Sequence, residues 1–267
     1  MLGKFLNYLL CILMFLCFSS ISFALPAGIL TKLDDLVKFA VRGGKTAKSL
    51  HNVADALSKS KITELAEIAK KPGGLKTVGE VLSEGKYADT VLENAYIRIA
   101  IKNKVITEEF GEEVFKKFSG VDGFRTIVRK INIANPATSK GHLQELQIAN
   151  EAVKNGFKPV SFGFRYADGL KQAETDMDIL LKKGDKLFAI ESKAYAGEVP
   201  MDMVRADTES LLAFSSARKD CVPVFSFLKE PPELTKKYLQ YKNVNLLYGT
   251  PEEISLKLEH LAQCITK

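Results

Sequence analysis

The segment from Asp176 to Lys193 limits the folds open to this chain more than any other. Two runs with strand patterning, Asp176 to Leu181 and Lys186 to Lys193, flank the tetrad Lys182-Lys183-Gly184-Asp185. A two-residue loop that begins with glycine suits a type II′ turn, whose first central position needs positive φ. A hairpin turning on Gly184-Asp185 has one register, which sets Asp178 directly across from Glu191. Opposed residues share a face, with Cβ atoms ~5 Å apart. Lys193 shares that face because side chains alternate with period two, and Asp176 then faces Lys193. A three-residue turn would instead put Asp178 and Glu191 on opposite faces.

Both acids stand in or beside apolar runs. Asp178 leads into Ile179-Leu180-Leu181, and Glu191 ends Leu187-Phe188-Ala189-Ile190. Facing carboxylates on half-buried strands repel, and desolvation adds to the cost. A hard divalent cation with oxygen ligands relieves both effects, and Mg²⁺ or Mn²⁺ fits best. Such an ion lowers the pKa of a bound water and polarises a phosphoryl oxygen. Lys193 is placed to hold the attacking water or the charge developing on phosphate. Two blander arrangements use the same residues: a surface hairpin with incidental ion pairs, and a site in which Asp176 replaces Asp178 as ligand.

The flanking patterns give the architecture. Helical spacing runs from about Gly28 to Ile131, broken at Gly43-Gly44, Pro72-Gly73-Gly74, Gly120 and Gly123. Gly44-Lys45-Thr46 mimics the end of a phosphate-binding loop, but Phe39 stands where that loop needs its first glycine. Residues 132–140 (NIANPATSK) are polar, contain Pro136 and read as a linker. Beyond them the pattern predicts a helix from Gly141 to Asn155, then strands at Lys158–Tyr166, Asp176–Leu181 and Lys186–Lys193. A helix over Met201–Arg218, a strand over Val222–Leu228, a helix over Pro231–Tyr241, a strand over Val244–Tyr248 and a helix over Pro251–Ile265 follow. This order predicts an α/β fold, a mixed sheet flanked by helices, preceded by an all-helical region. The expected division is a signal peptide at 1–24, a helical region at 25–131, a linker at 132–140 and the sheet domain at 141–267. On the Gly141–Asn155 helix, Glu145 falls on the side of Ala149, Ala152 and Val153, where an acid wants a cation or a hydrogen-bond partner.

Asp178, then Glu191-Ser192-Lys193, resembles the PD-(D/E)xK nuclease superfamily with its restriction-endonuclease-like fold. Lys140-Gly141-His142-Leu143-Gln144-Glu145 resembles the first-helix element of many members. The resemblance covers about Lys140 to Leu228. It implies that Asp178 and Glu191 are metal-binding acids, Lys193 the catalytic lysine and Glu145 a supporting helix acid. Met177 stands before Asp178, so the literal Pro-Asp is absent. The implied activity is Mg²⁺- or Mn²⁺-dependent hydrolysis of phosphodiester bonds, in DNA ahead of RNA. A helical region ahead of such a nuclease, behind an export signal, also resembles bacterial toxin layouts, which implies a neutralising immunity protein as partner. The competing functions are a nucleic-acid-binding module without catalysis, or an exported interaction protein whose helices do the work.

The amino terminus carries the export signal. Lys4 is followed by the apolar run LLCILMFLCF, and SSISFA places Ser22 and Ala24 at the positions a signal peptidase reads. Cleavage is expected after Ala24, giving a secreted or periplasmic protein with no membrane span left. An uncleaved anchor is the alternative, against which the run is shorter than the ~20 residues a span requires. Removing Lys4 takes the formal net charge from +6 to +5, a mild basic excess that suits a polyanionic partner. Cys221 and Cys264 survive cleavage, either bridged or as two buried thiols. No Cys/His spacing suggests zinc.

Overall fold

A computed structural model describes residues 64, 68, 73, 74, 77, 90–167, 172–194 and 199–265; at 91, 165–167 and 172–176 it describes the backbone alone. The expected signal peptide, the Gly44-Lys45-Thr46 segment and most of the predicted helical region before residue 90 lie outside those residues. From residue 90 onward the described residues begin with α1 (Thr90–Lys102), α2 (Glu108–Phe118), α3 (Phe124–Ile133) and α4 (Pro136–Lys154). Strands β1 (Lys158–Ala167), β2 (Gln172–Lys183) and β3 (Lys186–Lys193) follow. Then come α5 (Met201–Ser216), β4 (Cys221–Phe227), α6 (Glu233–Tyr241), β5 (Asn245–Tyr248) and α7 (Pro251–Ile265).

Side-chain capping marks the starts of α2 and α4, and apolar spacing marks α3. The Thr107 side chain caps α2 by accepting from the Phe110 N–H at 3.2 Å. Glu108 and Glu109 lie in its first turn, and Lys116 and Lys117 in its last. This order of charges complements the helix dipole. In α3, Phe124, Ile127, Val128 and Ile131 make one buried stripe. Gly123 precedes it with φ +77°, and a Cβ there would stand 1.8 Å from the Phe162 carbonyl oxygen. Only glycine lets the start of α3 approach β1 so closely.

The expected linker is not one. Asn132 and Ile133 complete α3, and Pro136 to Lys140 form the first turn and a half of α4. Asn135 caps α4 by accepting from the Thr138 N–H at 3.0 Å, and Pro136 occupies the first turn. Asn and Pro favour turns, but they also favour these two helix-start positions. The boundary at residue 131 marks no break in the core. Leu92, Tyr96 and Ile99 of α1 belong to the same apolar cluster as Leu146 and Ile148 of α4, and Ile179 and Phe188 of the sheet.

The sheet has five strands in the order β1-β2-β3-β4-β5. Strands β1, β2 and β3 pair antiparallel; β4 runs parallel to β3, and β5 parallel to β4. The chain is therefore mixed α/β, with a mixed sheet flanked by helices. Phe188, Ile190, Val222 and Val224 point to the face covered by α4 and α7. Ala189, Phe225 and Phe227 point to the other, against Val204, Leu211 and Phe214 of α5 and Leu239 of α6. Complete burial of a side chain such as Phe188 stabilises the fold by roughly 1.5–3 kcal/mol.

Cys221 is half-buried, Cys264 is exposed, and both are free thiols. The bridge is not formed, and the expectation of two buried thiols fails at Cys264, which lies on the solvent side of the last turn of α7. Burial and the Asp220 carboxylate push the Cys221 thiol up to about 11, so it is a packing residue rather than a nucleophile. Among the described residues, no helix is long and apolar enough to cross a membrane.

Candidate active site at the open end of a hairpin

The hairpin turns where the sequence predicts. Gly184 has φ +61° while Asp185 is not in the positive region, as a type II′ turn requires. Pairing starts at Lys183↔Lys186 and runs to Ile179↔Ile190. One further step would pair Asp178 with Glu191, but the ladder ends before it. There the Asp178 carboxylate takes over: its Oδ2 accepts from the Ser192 N–H at 2.8 Å. A side chain thus satisfies a strand donor that the neighbouring backbone leaves open. Meanwhile β3 stays paired with β4 through Lys193↔Phe227. Glu191 and Lys193 therefore sit on a strand that is firm on one side and open on the other.

Alternation along β3 sends Glu191 and Lys193 to the α5 face, and Ser192 to the α4 face. On the α5 side, Lys193 Nζ lies 2.7 Å from Glu191 Oε1 and 2.7 Å from Asp207 Oδ2. Asp207 comes from α5 and is 8% exposed; Glu191 is 6% exposed. On the α4 side, Gln144 Nε2 donates to Ser192 Oγ at 3.2 Å. Beneath the site, Ser226 Oγ of β4 donates to the Glu191 carbonyl at 3.2 Å. Glu145, also buried, pairs with His142 Nδ1 through Oε1 at 3.0 Å. The structure gathers Asp178, Glu191 and Lys193. Glu145 lies on α4 next to the residue that reaches β3, in contact with His142.

Two carboxyl groups contact one ammonium, the charge of Asp178 bears on both Glu191 and Lys193, and the electrostatics follow. Glu191 is held well above the ordinary glutamate range, first by burial, then by the charge of Asp178, with Asp207 adding to it; Lys193 opposes this and does not prevail. For Lys193, burial is the largest single effect and works against its charge. Glu191, Asp178 and Asp207 together outweigh it and hold the lysine above its usual value. The site keeps a positive charge on Lys193 and sets the like-charged Asp178 and Asp207 close to Glu191.

The repulsion between Asp178 and Glu191 would be relieved by a divalent ion held on both. Among the described residues no three His, Cys, Asp or Glu side chains form a ready cage. Mg²⁺ does not need one, since it keeps several waters and is commonly held by one or two carboxylates plus substrate phosphate. All-oxygen donors and a desolvated, like-charged acid pair suit it.

Asp207, which the sequence reading did not single out, joins the cluster through Lys193. Its signal was present: Val204, Asp207, Thr208, Leu211 and Phe214 make the buried stripe of α5, and an acid on such a stripe wants a cation. Arg205 of α5 and Arg218 just beyond its end lie on the solvent side. Arg205 stands 3.7 Å from Asp202, and Arg218 lies over the Phe214 ring at 4.8 Å. Asp176, the competitor for the ligand role, pairs its backbone with Arg165 of β1, and its side chain is outside what the structure describes. Comparison with family models, curated proteins and solved structures gave no match to this chain.

Proposed function

We propose that this chain is a metal-dependent nuclease of the PD-(D/E)xK type, with a restriction-endonuclease-like core, acting on phosphodiester bonds of DNA ahead of RNA. The observation that carries the reading is the meeting of Asp178, Glu191 and Lys193 where the antiparallel ladder ends, with the charge of Asp178 bearing on a buried Glu191. Asp178 and Glu191 would hold Mg²⁺ or Mn²⁺. The bound ion would polarise a phosphoryl oxygen and acidify a water. Lys193, kept charged by its acidic neighbours, stabilises negative charge gathering on the phosphate, an effect strengthened by the low dielectric around it. The Asp178–Ser192 hydrogen bond fixes the carboxylate relative to the strand that carries the other two groups. Glu145, fixed by His142, supports the site from α4. The export signal and the toxin-like layout extend the proposal to a secreted or periplasmic effector with an immunity protein as partner.

The test is incubation of the mature protein with plasmid, single-stranded DNA and RNA, in Mg²⁺, Mn²⁺ or EDTA. Cleavage should require the metal. Asp178→Ala, Glu191→Ala and Lys193→Ala should each lower kcat by about 10²-fold or more. Asp176→Ala should retain most activity. Binding without cleavage in the parent would turn the assignment to a nucleic-acid-binding module. Loss that follows Asp176 and spares Asp178 would require the metal site to be redrawn.

A further inference from the structure

We infer that Asp207 is a positioning residue that receives Lys193 when a divalent cation engages Glu191. This rests on the nuclease reading above and adds a residue to it. In the structure the lysine ammonium lies between two carboxylates, 2.7 Å from Glu191 Oε1 on its own strand and 2.7 Å from Asp207 Oδ2 on α5. A cation held by Asp178 and Glu191 must repel an ammonium in contact with Glu191. The lysine therefore has to give up one of its two partners. It cannot simply move into water, because its side chain is only 13% exposed. Asp207 supplies the partner that remains.

The two acids sit on different elements, and this makes the exchange possible. Glu191 and Asp178 belong to paired strands of the sheet. Asp207 is fixed independently, on a helix whose stripe of Val204, Leu211 and Phe214 packs against the same sheet face. Lys193 can leave Glu191 and stay anchored without movement of the backbone. Without Asp207, ion and lysine compete for one carboxylate, and whichever wins leaves the other charge buried and poorly paired.

The experiment is a double-mutant cycle read by Mn²⁺ titration calorimetry on the full mature chain, with no substrate present. Asp207→Asn and Asp207→Ser are made in the parent and in Lys193→Met, so that one variant failing to fold leaves the other. In the parent, loss of Asp207 should weaken Mn²⁺ binding by about tenfold, the scale of one charge-assisted hydrogen bond. In Lys193→Met the same change should do little, since no ammonium competes. Asp207→Glu should restore most of the affinity. With DNA, Asp207→Asn should lower kcat and leave KM nearly unchanged. Equal weakening in both backgrounds would make Asp207 a metal ligand and overturn the inference. No weakening in the parent would reduce Asp207 to a structural partner and overturn it too. A folded parent that binds no Mn²⁺ ends the metal reading itself, and the exchange with it.

Discussion

Replacing Glu191 by glutamine should stabilise the metal-free protein, and the gain should grow with pH. Burial, then Asp178 and Asp207, hold the folded-state value of Glu191 well above the ordinary 4.5, against the pull of Lys193. Between 4.5 and that raised value the folded protein binds one proton that the unfolded chain has released. Stability then falls as pH rises, at up to about 1.4 kcal/mol per pH unit for a single group. The contribution of Glu191 is fully present below its unfolded value and is lost as pH climbs through its folded value. Glutamine has nearly the same shape, can still accept from Lys193 and does not titrate. Lys193 keeps Asp207 as a partner in the variant, so no buried charge is abandoned. Groups outside the cluster of Asp178, Glu191, Lys193 and Asp207 cancel in the difference, which therefore reports the titration of that cluster. Urea unfolding followed by circular dichroism, in EDTA, from pH 4.5 to 7.5 measures that difference. The two proteins should nearly match at pH 4.5, and the variant should pull ahead as pH rises, by no more than about 1.4 kcal/mol per unit, until the folded value of Glu191 is passed. A difference that is flat, or that shrinks as pH rises, would show that the Lys193 contact keeps Glu191 ionised, and the account of the charge cluster would fail.

Four further outcomes are expected. Mn²⁺ at a hundred times its Kd should raise the unfolding free energy by about 2.7 kcal/mol in the parent, and much less in Asp178→Asn. Because Glu191 must be ionised to hold the ion and its folded value is raised, Mn²⁺ affinity should strengthen as pH rises; equal thermal shifts in parent and Asp178→Asn would remove Asp178 from the ligands. Gly123→Ala should cost on the order of 3 kcal/mol, from a left-handed backbone plus a Cβ driven into the Phe162 carbonyl; an unfolding midpoint equal to the parent's would refute that close approach. Sequencing of the natural protein should find Leu25 as its first residue, and a chain that keeps Met1 would refute export by cleavage.

The sequence by itself determined what depends on short range. A glycine-first, two-residue loop sets one hairpin register, and period-two alternation then sets the faces. From those two rules follow the approach of Asp178 to Glu191 and the placing of Lys193 beside them. The helix and strand order after residue 155 was legible for the same reason, because each element carries its own apolar period. Tertiary structure decided the rest. Asn132 to Lys140 has linker composition, yet it closes one helix and opens the next, because both helices find the same apolar cluster to pack on. The hairpin ladder ends one pair early because the Asp178 carboxylate, rather than its backbone, meets the Ser192 N–H. Asp207 meets Lys193 only because α5 folds back across the sheet, bringing residues fourteen positions apart into contact. A periodic pattern shows which side of a helix is buried; which strand residue that side lies over depends on packing between elements, which no local pattern records.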